Sequence, residues 1–373
     1  MSGKVLISGA GVGGSTLAHW LSERGFDVTV VERATGQRSS GNPVDVRGFA
    51  IDVVEQMGVM PELRKSAIEV DRLSFIDSAG RRRTSVATKA PDASEVELAR
   101  AELAKILLGA ARDRAEIRWG DTITGLNADE SGVSVTFEQH APETFDYVVG
   151  ADGLHSNVRR LAFGPERDFV RHMGIYVATL PVDRAYGDPD EVVMYNTPGR
   201  SISVHPAGGK PLAALMFRSP AIPGYDYRDL EQHKRLLCNA FDGPVGIFGD
   251  LLDQIDAADD LYFDAVSKVQ LPTWSKGRVT LLGDAGSSVS LFGDGSSLAI
   301  AAASTLAEEL ARTPGEPDIA LRRYEQRQRV LSDPKQNGAR AAGMFIVPRS
   351  RLGILLRDTA ARFMRRVRAD GNR

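Results

Sequence analysis

The chain contains 373 residues, of which 42% are hydrophobic and 25% are charged, and its formal net charge is −3. This composition is typical of a folded protein, and the length predicts two or three domains at ~150 residues each. The single cysteine excludes a disulfide framework, and 46 Lys and Arg against 49 Asp and Glu argue against nucleic-acid binding. No apolar segment reaches the ~20 residues that cross a bilayer, and the N-terminus lacks a signal peptide, so we expect a cytoplasmic protein.

The first forty residues predict a strand, a helix and a second strand. Residues 4–8 are apolar and β-branched, which predicts a buried parallel strand. Residues 15–24 repeat leucine and alanine at helical spacing, and residues 27–31 predict the second strand, which ends on Glu32. A carboxylate there can accept hydrogen bonds from both hydroxyls of an adenosine ribose, and it repels a 2′-phosphate. The pattern therefore favours FAD or NAD over NADP, with Arg33 predicted beside the same ribose.

A glycine loop connects the first strand to the helix. Gly9 permits a tight turn, Gly11 lets a pyrophosphate approach the backbone, and Gly14 lets the helix lie close to the strand. Val12 and Gly13 complete the loop at the start of the helix, where free N–H groups and a partial positive charge attract phosphates. This context predicts a dinucleotide-binding site.

Two further motifs follow predicted strands. Residues 145–149 predict a strand that leads into the sequence DGLHSNVR at 152–159, where Ser156 is the predicted N-cap of a helix. Residues 278–282 predict another strand, which ends on the sequence GDAG at 283–286. The long helix predicted for residues 296–312 follows, and its sequence is rich in alanine and leucine.

The order GxGxxG, DGxxSxxR and GD resembles that of FAD-dependent flavoprotein monooxygenases of the p-hydroxybenzoate hydroxylase class. By its size, the chain is similar to the compact, tetracycline-monooxygenase-like members. The resemblance covers nearly the whole chain and implies an α/β fold. This fold would combine a Rossmann-like FAD-binding domain of the glutathione-reductase type with an inserted antiparallel β-sheet substrate domain and a C-terminal helix. The implied ranges are 1–71, 98–168 and 270–318 for the FAD-binding domain, 72–97 and 169–269 for the sheet domain, and 319–373 for the C-terminal helical segment.

The resemblance also implies FAD contacts late in the chain. Asp284, with Gly283 before it, would bond the ribitol hydroxyls. The backbone at Gly293, Gly295 and Ser296 would face the pyrimidine edge of the flavin, where the positive end of a helix dipole stabilises the negative charge of the reduced ring.

Four further residues match family positions. Asp152 and Arg159 would organise the second dinucleotide contact, with Arg159 fixing the loop through a charge-assisted bond. Arg100 precedes a predicted helix at 102–112 and would contact FAD. Arg47 lies where the chain of the family approaches the isoalloxazine ring.

The middle of the chain predicts a β-sheet, because its short segments have strand-like alternation and are separated by turn sequences. The predicted strands are 73–76, 84–86, 175–182, 191–195, 201–205, 212–218 and 261–271. In the family, such a sheet covers the flavin and the substrate lies between the two domains. The residues predicted to line the substrate pocket are His205, Met216 and Phe217.

The C-terminal part predicts a helix at 321–330 that breaks near Pro334. Residues 349–373 contain eight arginines and two aspartates, a net charge of 8 − 2 = +6, with apolar residues at approximately helical spacing. Such a basic amphipathic helix either bridges the two domains, as in the family, or lies on an acidic membrane or another protein.

The resemblance implies an FAD-dependent monooxygenase that uses NAD(P)H as a transient co-substrate and O2. It would hydroxylate an electron-rich aromatic or polyketide-like small molecule through a C4a-hydroperoxyflavin. Because the flavin carries the chemistry, we predict no catalytic side chain, and the histidine spacing predicts no metal site. An FAD-dependent dehydrogenase or reductase without oxygen transfer, an NAD dehydrogenase and a non-enzymatic flavin-binding protein are the alternatives. Substrate identity, NADPH against NADH and oligomeric state stay open.

Overall fold

A computed structural model describes residues 2–36, 43–87, 95–206, 210–288 and 294–370. The strands are β1 (Ser2–Ser8), β2 (Phe26–Glu32), β3 (Pro43–Val46), β4 (Arg72–Ile76), β5 (Arg82–Ala87), β6 (Val96–Ala99), β7 (Glu116–Trp119), β8 (Ile123–Ala128), β9 (Val133–Phe137), β10 (Glu143–Phe145), β11 (Tyr147–Gly150), β12 (Val170–Pro181), β13 (Glu191–Thr197), β14 (Arg200–His205), β15 (Leu212–Phe217), β16 (Tyr262–Val269), β17 (Ser275–Lys276) and β18 (Val279–Leu281). The helices are α1 (Val12–Glu23), α2 (Phe49–Gln56), α3 (Met60–Lys65), α4 (Arg100–Ala111), α5 (Asn157–Ala162), α6 (Glu166–Phe169), α7 (Leu230–Ala240), α8 (Leu251–Ala257), α9 (Asp284–Ser287), α10 (Asp294–Arg312), α11 (Pro317–Ile346) and α12 (Arg351–Asp370).

The first sheet has six strands in the order β17-β18-β11-β1-β2-β7, and all of its pairs are parallel except β17 with β18. Its central strand is apolar at consecutive positions because both of its faces are covered. Val5, Leu6 and Ile7 are all fully buried. The four predicted strands and the glycine-linked helix α1 are therefore present. The two-stranded sheet β3-β6 packs against α1 and α10. We call the first sheet, its helices and this two-stranded sheet the Rossmann-like unit. The smaller sheet β10-β9-β8 stands beside it.

The second sheet has seven strands in the order β16-β12-β15-β14-β13-β4-β5. All seven predicted segments contribute to it, which confirms the inserted sheet. Its pairs are antiparallel except for β4 with β13, which run parallel with Leu73 opposite Val192. No hairpin turn connects β4 to β13, so nothing in the local sequence imposes an antiparallel direction there.

The second sheet separates two sets of side chains. Helices α7 and α8 cover one face, where Phe241 and Phe248 pack against strand residues such as Ile202. The opposite face points toward the Rossmann-like unit at His205 and toward the end of α11 at Ile346. We call it the inner face of the sheet.

The predicted break near Pro334 is wrong, because α11 continues from Pro317 to Ile346 with the proline inside it. Buried glutamines hold the helix on both sides of the proline. Gln328 donates to the carbonyl oxygen of Leu298, and Gln336 donates to those of Val269 and Ser288. These tertiary contacts outweigh the hydrogen bond that a proline removes from a helix.

In the part of the chain that the structure describes, no helix has both the length and the apolar character needed to cross a bilayer.

Candidate active site

Four loops meet at one edge of the first sheet. β1, β2, β11 and β18 are parallel, so the segments that follow them emerge at the same edge. The glycine loop, Asp152 and Asp284 lie in the segments after β1, β11 and β18, and Glu32 is the last residue of β2. Ligands of open α/β sheets bind outside the carboxyl ends of the strands, so this topology brings most of the predicted cofactor residues to one place.

The glycine loop is tightly packed at Gly9 and Gly14 and open at Gly11. Gly9 has φ +107°, and a Cβ there would lie 2.6 Å from the carbonyl oxygen of Ala151. A Cβ on Gly14 would overlap the carbonyl oxygen of Gly9. A Cβ on Gly11, in contrast, would meet nothing within 4 Å, and Gly11 is exposed. We call the open side at Gly11 the phosphate cradle, because it leaves free space beside the backbone where the motif is expected to approach a phosphate.

Helix α1 begins at this cradle. Gly11 is its N-cap and provides no side-chain cap, so the first-turn N–H groups, starting with those of Val12 and Gly13, have no acceptor within the helix. A Cβ on Gly13 would lie 2.5 Å from the Leu282 side chain, which brings the helix start close to the end of β18. The positive end of the α1 dipole therefore points at the phosphate cradle.

Glu32 connects the glycine loop to the second strand. Its Oε2 accepts from the backbone N–H of Ala10 at 3.0 Å, and its Oε1 accepts from that of Ala34 at 2.9 Å. A carboxylate has about four acceptor sites, so both oxygens can still accept hydrogen bonds from ribose hydroxyls. The neighbouring Arg33 is exposed at the same strand end.

Asp284 is the first residue of α9, shortly after β18, and it lies close to the start of α10. Gly283 before it has φ +62°, which forms the sharp turn that presents the carboxylate. A Cβ on Gly295 would lie 3.8 Å from Asp284 Oδ1, and Ser296 follows as a buried residue. Burial raises the pKa of Asp284, and the charge of Arg100, the exposed first residue of α4, opposes that rise. Of the predicted contacts here, Gly293 lies outside the described residues, as do the residues at 290–292.

Asp152 and Arg159 hold the loops of the site together. Asp152 accepts from the backbone N–H groups of Asn157 at 2.8 Å and Val158 at 3.0 Å. Arg159 is fully buried and donates to the carbonyl oxygens of Leu154 at 2.6 Å and Ala285 at 2.9 Å. The guanidinium thus links the loop at 152–156, which we call the DG loop, to the loop at 283–286. Arg159 therefore has a structural role within the site.

The Ser156 side chain accepts a hydrogen bond from the backbone N–H of Arg159 at 3.0 Å. The predicted N-cap of this helix is therefore confirmed, and it fixes the end of the DG loop.

Arg47 belongs to a charged group at the start of α10. It binds Asp294 Oδ1 through Nη2 at 2.6 Å and Nε at 2.9 Å, and Lys335 Nζ lies 3.1 Å from the other oxygen of that carboxylate. The Arg47 backbone donates to the Ser297 hydroxyl, which in turn donates to the carbonyl oxygen of Asp45. The short strand β3 is thereby attached to α10. β3 also pairs with β6, whose Glu97 contacts His205 of the second sheet, and we call this region between the Rossmann-like unit and the second sheet the seam.

Two carboxylates and a histidine meet at this seam. Asp45 on β3 lies directly opposite Glu97 on β6. Burial and the nearby Glu97 charge raise the pKa of Asp45 to about 6. Glu97 Oε1 in turn lies 2.8 Å from His205 Nε2, which comes from the second sheet. The predicted pocket residue His205 therefore contacts the Rossmann-like unit.

The prediction that both Met216 and Phe217 face the pocket is wrong for Phe217. Adjacent residues of a strand point to opposite faces. Met216 packs on the inner face, whereas Phe217 is 6% exposed and lies on the face that α7 covers. There its ring stacks on Tyr176 with 5.5 Å between centroids and meets Phe241 edge-on at 6.3 Å.

A charged contact that the sequence did not predict joins the two units behind the site. His155 of the DG loop lies between Glu166, 3.1 Å from its Nδ1, and Asp264 of β16, 3.2 Å from its Nε2. Its ring stacks on Tyr227 at 3.7 Å, and Tyr225 donates to Asp264. Burial lowers the pKa of His155, but hydrogen bonds to the two carboxylates outweigh this and raise it to about 9. The only signal in the sequence was the histidine inside the DG motif, since Asp264 lies 109 residues away.

Among the described residues, no three His, Cys, Asp or Glu side chains are grouped as metal ligands would be.

The chain is similar over most of its length to several known proteins. A family model described as an FAD binding domain matches residues 2–330. The chain is 36% identical to the uncharacterized protein Rv1260 of Mycobacterium tuberculosis (strain ATCC 25618 / H37Rv), across 90% of this chain and 94% of that protein. It is 30% identical to a flavin-dependent monooxygenase of Legionella longbeachae serogroup 1 (strain NSW150), across 92% and 90% of the two chains. The crystal structure of the tetracycline destructase Tet(51) matches with a TM-score of 0.84 at 27% identity, across 97% of this chain and 96% of that one.

Proposed function

Since the chain belongs to the FAD binding domain family and is a flavin-dependent monooxygenase, we propose that NAD(P)H reduces its flavin and that its substrate binds at the seam between the Rossmann-like unit and the second sheet. The substrate class that the site supports best is an electron-rich aromatic or polyketide-like small molecule. The carrying observation is that the open phosphate cradle, the Glu32 carboxylate and the Asp284 carboxylate share one edge of the first sheet, and that the second sheet meets this unit at His205.

The residues at this edge fit FAD. The pyrophosphate would lie on the open side of Gly11, where the start of α1 offers N–H groups and positive dipole charge. Glu32 would accept from the adenosine ribose, and Asp284 from the ribitol hydroxyls. Gly295, close to Asp284, would place the start of α10 against the flavin ring.

The bound flavin would supply electron transfer from the nicotinamide to O2 and delivery of one oxygen atom to the substrate. The chain would hold and orient the reactants. Arg47, fixed by Asp294, places a positive charge beside the start of α10, where negative charge on the cofactor would be stabilised. Side chains of both units meet at the seam, as His205 and Glu97 do, and would shield a substrate bound there from water.

The seam also bears on the kind of substrate. Met216 contributes apolar surface on the inner face, while Asp45, Glu97 and His205 supply hydrogen-bonding groups at its margin. An apolar ring system with a few hydroxyl or carbonyl groups matches this combination. The similarity to a tetracycline destructase supports a polycyclic molecule of that kind.

The test begins with the purified full chain. Addition of FAD should give the visible spectrum of a protein-bound oxidised flavin, and Gly11→Val should weaken FAD binding at least tenfold by filling the cradle. Gly109→Ala is the matched control, since a Cβ there also meets nothing within 4 Å but lies in α4. A wild-type protein that stays colourless would refute the FAD assignment.

The reaction is tested with NADH and NADPH oxidation in the presence of a panel of phenols and aromatic polyketides. A true substrate should accelerate oxidation and yield a product that carries one atom of isotopically labelled dioxygen. A product oxidised without label would refute oxygen transfer and favour the dehydrogenase alternative. Equal oxidation rates with and without every panel compound would refute the proposed substrate class.

A further inference from the structure

The last helix, α12, exposes four of its large apolar side chains on the surface of the chain. Leu352, Leu355, Leu356 and Phe363 of α12 are between 58% and 68% exposed. At 3.6 residues per turn, these four positions lie within about 100° of one another around the helix. We call them the apolar face of α12. A surface helix normally turns such a stripe toward the protein core.

The opposite side of α12 fixes this orientation. Arg357 is buried at 7% exposure, pairs with Asp358 at 2.7 Å and lies with its guanidinium 3.9 Å from the centre of the Phe75 ring. Arg357 also donates to the Asn196 side chain, and Ala361 is fully buried. Rotation of the apolar face inward would break these contacts, and Arg357 would lose both the Phe75 ring and the Asn196 side chain. The apolar face therefore stays on the outside of the folded chain.

The exposed charged residues from 349 to 363 have one sign. Arg349, Arg351 and Arg362 are exposed, and Asp358, the single acidic residue in the sequence from 349 to 363, is buried against Arg357. The sequence from 349 to 373 has a net charge of +6. An exposed apolar stripe with arginines beside it is the pattern of helices that lie in the plane of an anionic membrane interface.

We propose that α12 docks the chain on an anionic lipid surface, with its leucines and Phe363 among the acyl chain ends and its arginines at the lipid phosphates. A second copy of the chain is a poorer occupant. The twelve residues from 352 to 363 present roughly 200 Å² (about 18 Å by 10 Å), whereas a stable dimer buries about 800 Å² on each partner. Pairing two such helices would also bring two segments of charge +6 together. This docking is independent of the proposed reaction.

The experiment is co-sedimentation of the FAD-loaded full chain with phosphatidylcholine vesicles, with and without about 30% phosphatidylglycerol. The wild type should bind the anionic vesicles, and binding should fall at least tenfold between about 0.05 and 0.5 M salt. Leu355→Gln with Phe363→Ser should reduce the partition coefficient at least tenfold. Arg351→Glu should weaken binding to anionic vesicles only.

Val330→Gln is the matched control, because Val330 is an equally exposed apolar residue (72%) on α11. It should leave binding unchanged, and all variants should keep the wild-type flavin content and melting temperature. Absence of binding by the wild type, or equal binding to neutral vesicles, would overturn the proposal. So would a wild-type dimer that Leu355→Gln with Phe363→Ser converts to a monomer while vesicles bind neither protein.

Discussion

Replacing His155 by glutamine tests the contact that joins the two units. The histidine comes from the DG loop of the Rossmann-like unit, and Asp264 comes from β16 of the second sheet. Glutamine keeps a polar side chain of similar length but cannot carry a positive charge. The substitution therefore leaves the carboxylates of Asp264 and Glu166 facing each other without the cation between them.

The magnitude follows from the pKa of His155, which rises from 6.5 to about 9 on folding. At 1.36 kcal/mol per pKa unit, this corresponds to about 3 kcal/mol of folding free energy. Because the folded pKa is the higher one, the stabilisation is complete below pH 6.5. It declines as the pH rises, since the folded state then binds the extra proton, and it is lost above about pH 9. Glu166 and Asp264 are the carboxylates in contact with the ring, and Tyr227 stacks on it.

The assay is urea unfolding of wild type and His155→Gln at about pH 6 and about pH 10. The variant should be about 3 kcal/mol less stable at the lower pH, and the two stabilities should converge at the higher pH. In the Asp264→Asn background, His155→Gln should lower the unfolding free energy by a smaller amount, because the carboxylate partner has been replaced by a neutral amide. A stability difference that stays constant or grows with pH would refute this account.

Four substitutions test the flavin edge of the first sheet. Gly14→Ala should lower the unfolding free energy by about 1–3 kcal/mol or more through overlap with the Gly9 carbonyl. Gly11→Ala should leave the melting temperature of the FAD-free protein unchanged and weaken FAD binding in a fluorescence titration. A destabilised Gly11→Ala protein beside an unaffected Gly14→Ala protein would contradict the interpretation of Gly11 as the open position. Arg159→Leu should cost about 2–4 kcal/mol in urea unfolding, because two buried carbonyl oxygens lose their donor, and a neutral result would show that they are satisfied otherwise. Asp284→Ala should release FAD at least tenfold faster in a dilution assay. The melting temperature of the FAD-free protein should rise or stay unchanged, since burial of this carboxylate disfavours its charged form. Unaltered FAD release would show that Asp284 does not contact FAD.

The sequence predicted the parts of the site that short segments determine. The glycine loop with Glu32 occupies about thirty residues, and its glycines are required by close backbone approaches that the structure contains. The Ser156 cap and the turn at Gly283 are similarly local. Parallel strands then bring these separate loops to one edge without further information.

Contacts between distant segments could not be predicted in this way. Asp264 and Lys335 reach the site from elements that carry no motif, and no spacing connects them to His155 or Asp294. The continuity of α11 through Pro334 is a different failure, because the local rule was correct for an isolated helix and tertiary contacts of Gln328 and Gln336 outweighed it. For Phe217, the alternation rule was available, and it allows only one of two neighbours on the pocket side.

The strand order of the first sheet also determines when the protein can begin to work. β1 pairs with β11, so Val5 cannot form its strand contact until Tyr147 has been synthesised. β11 pairs in turn with β18 near Val279. At about 5–20 residues synthesised per second, roughly 15–55 s separate the glycine loop from Asp284 on the ribosome. During that interval the nascent chain has a phosphate cradle but no completed sheet, and one edge of β1 stays unpaired until β11 has been made. Such high contact order predicts slow folding, chaperone dependence and capture of FAD only after most of the chain has been made.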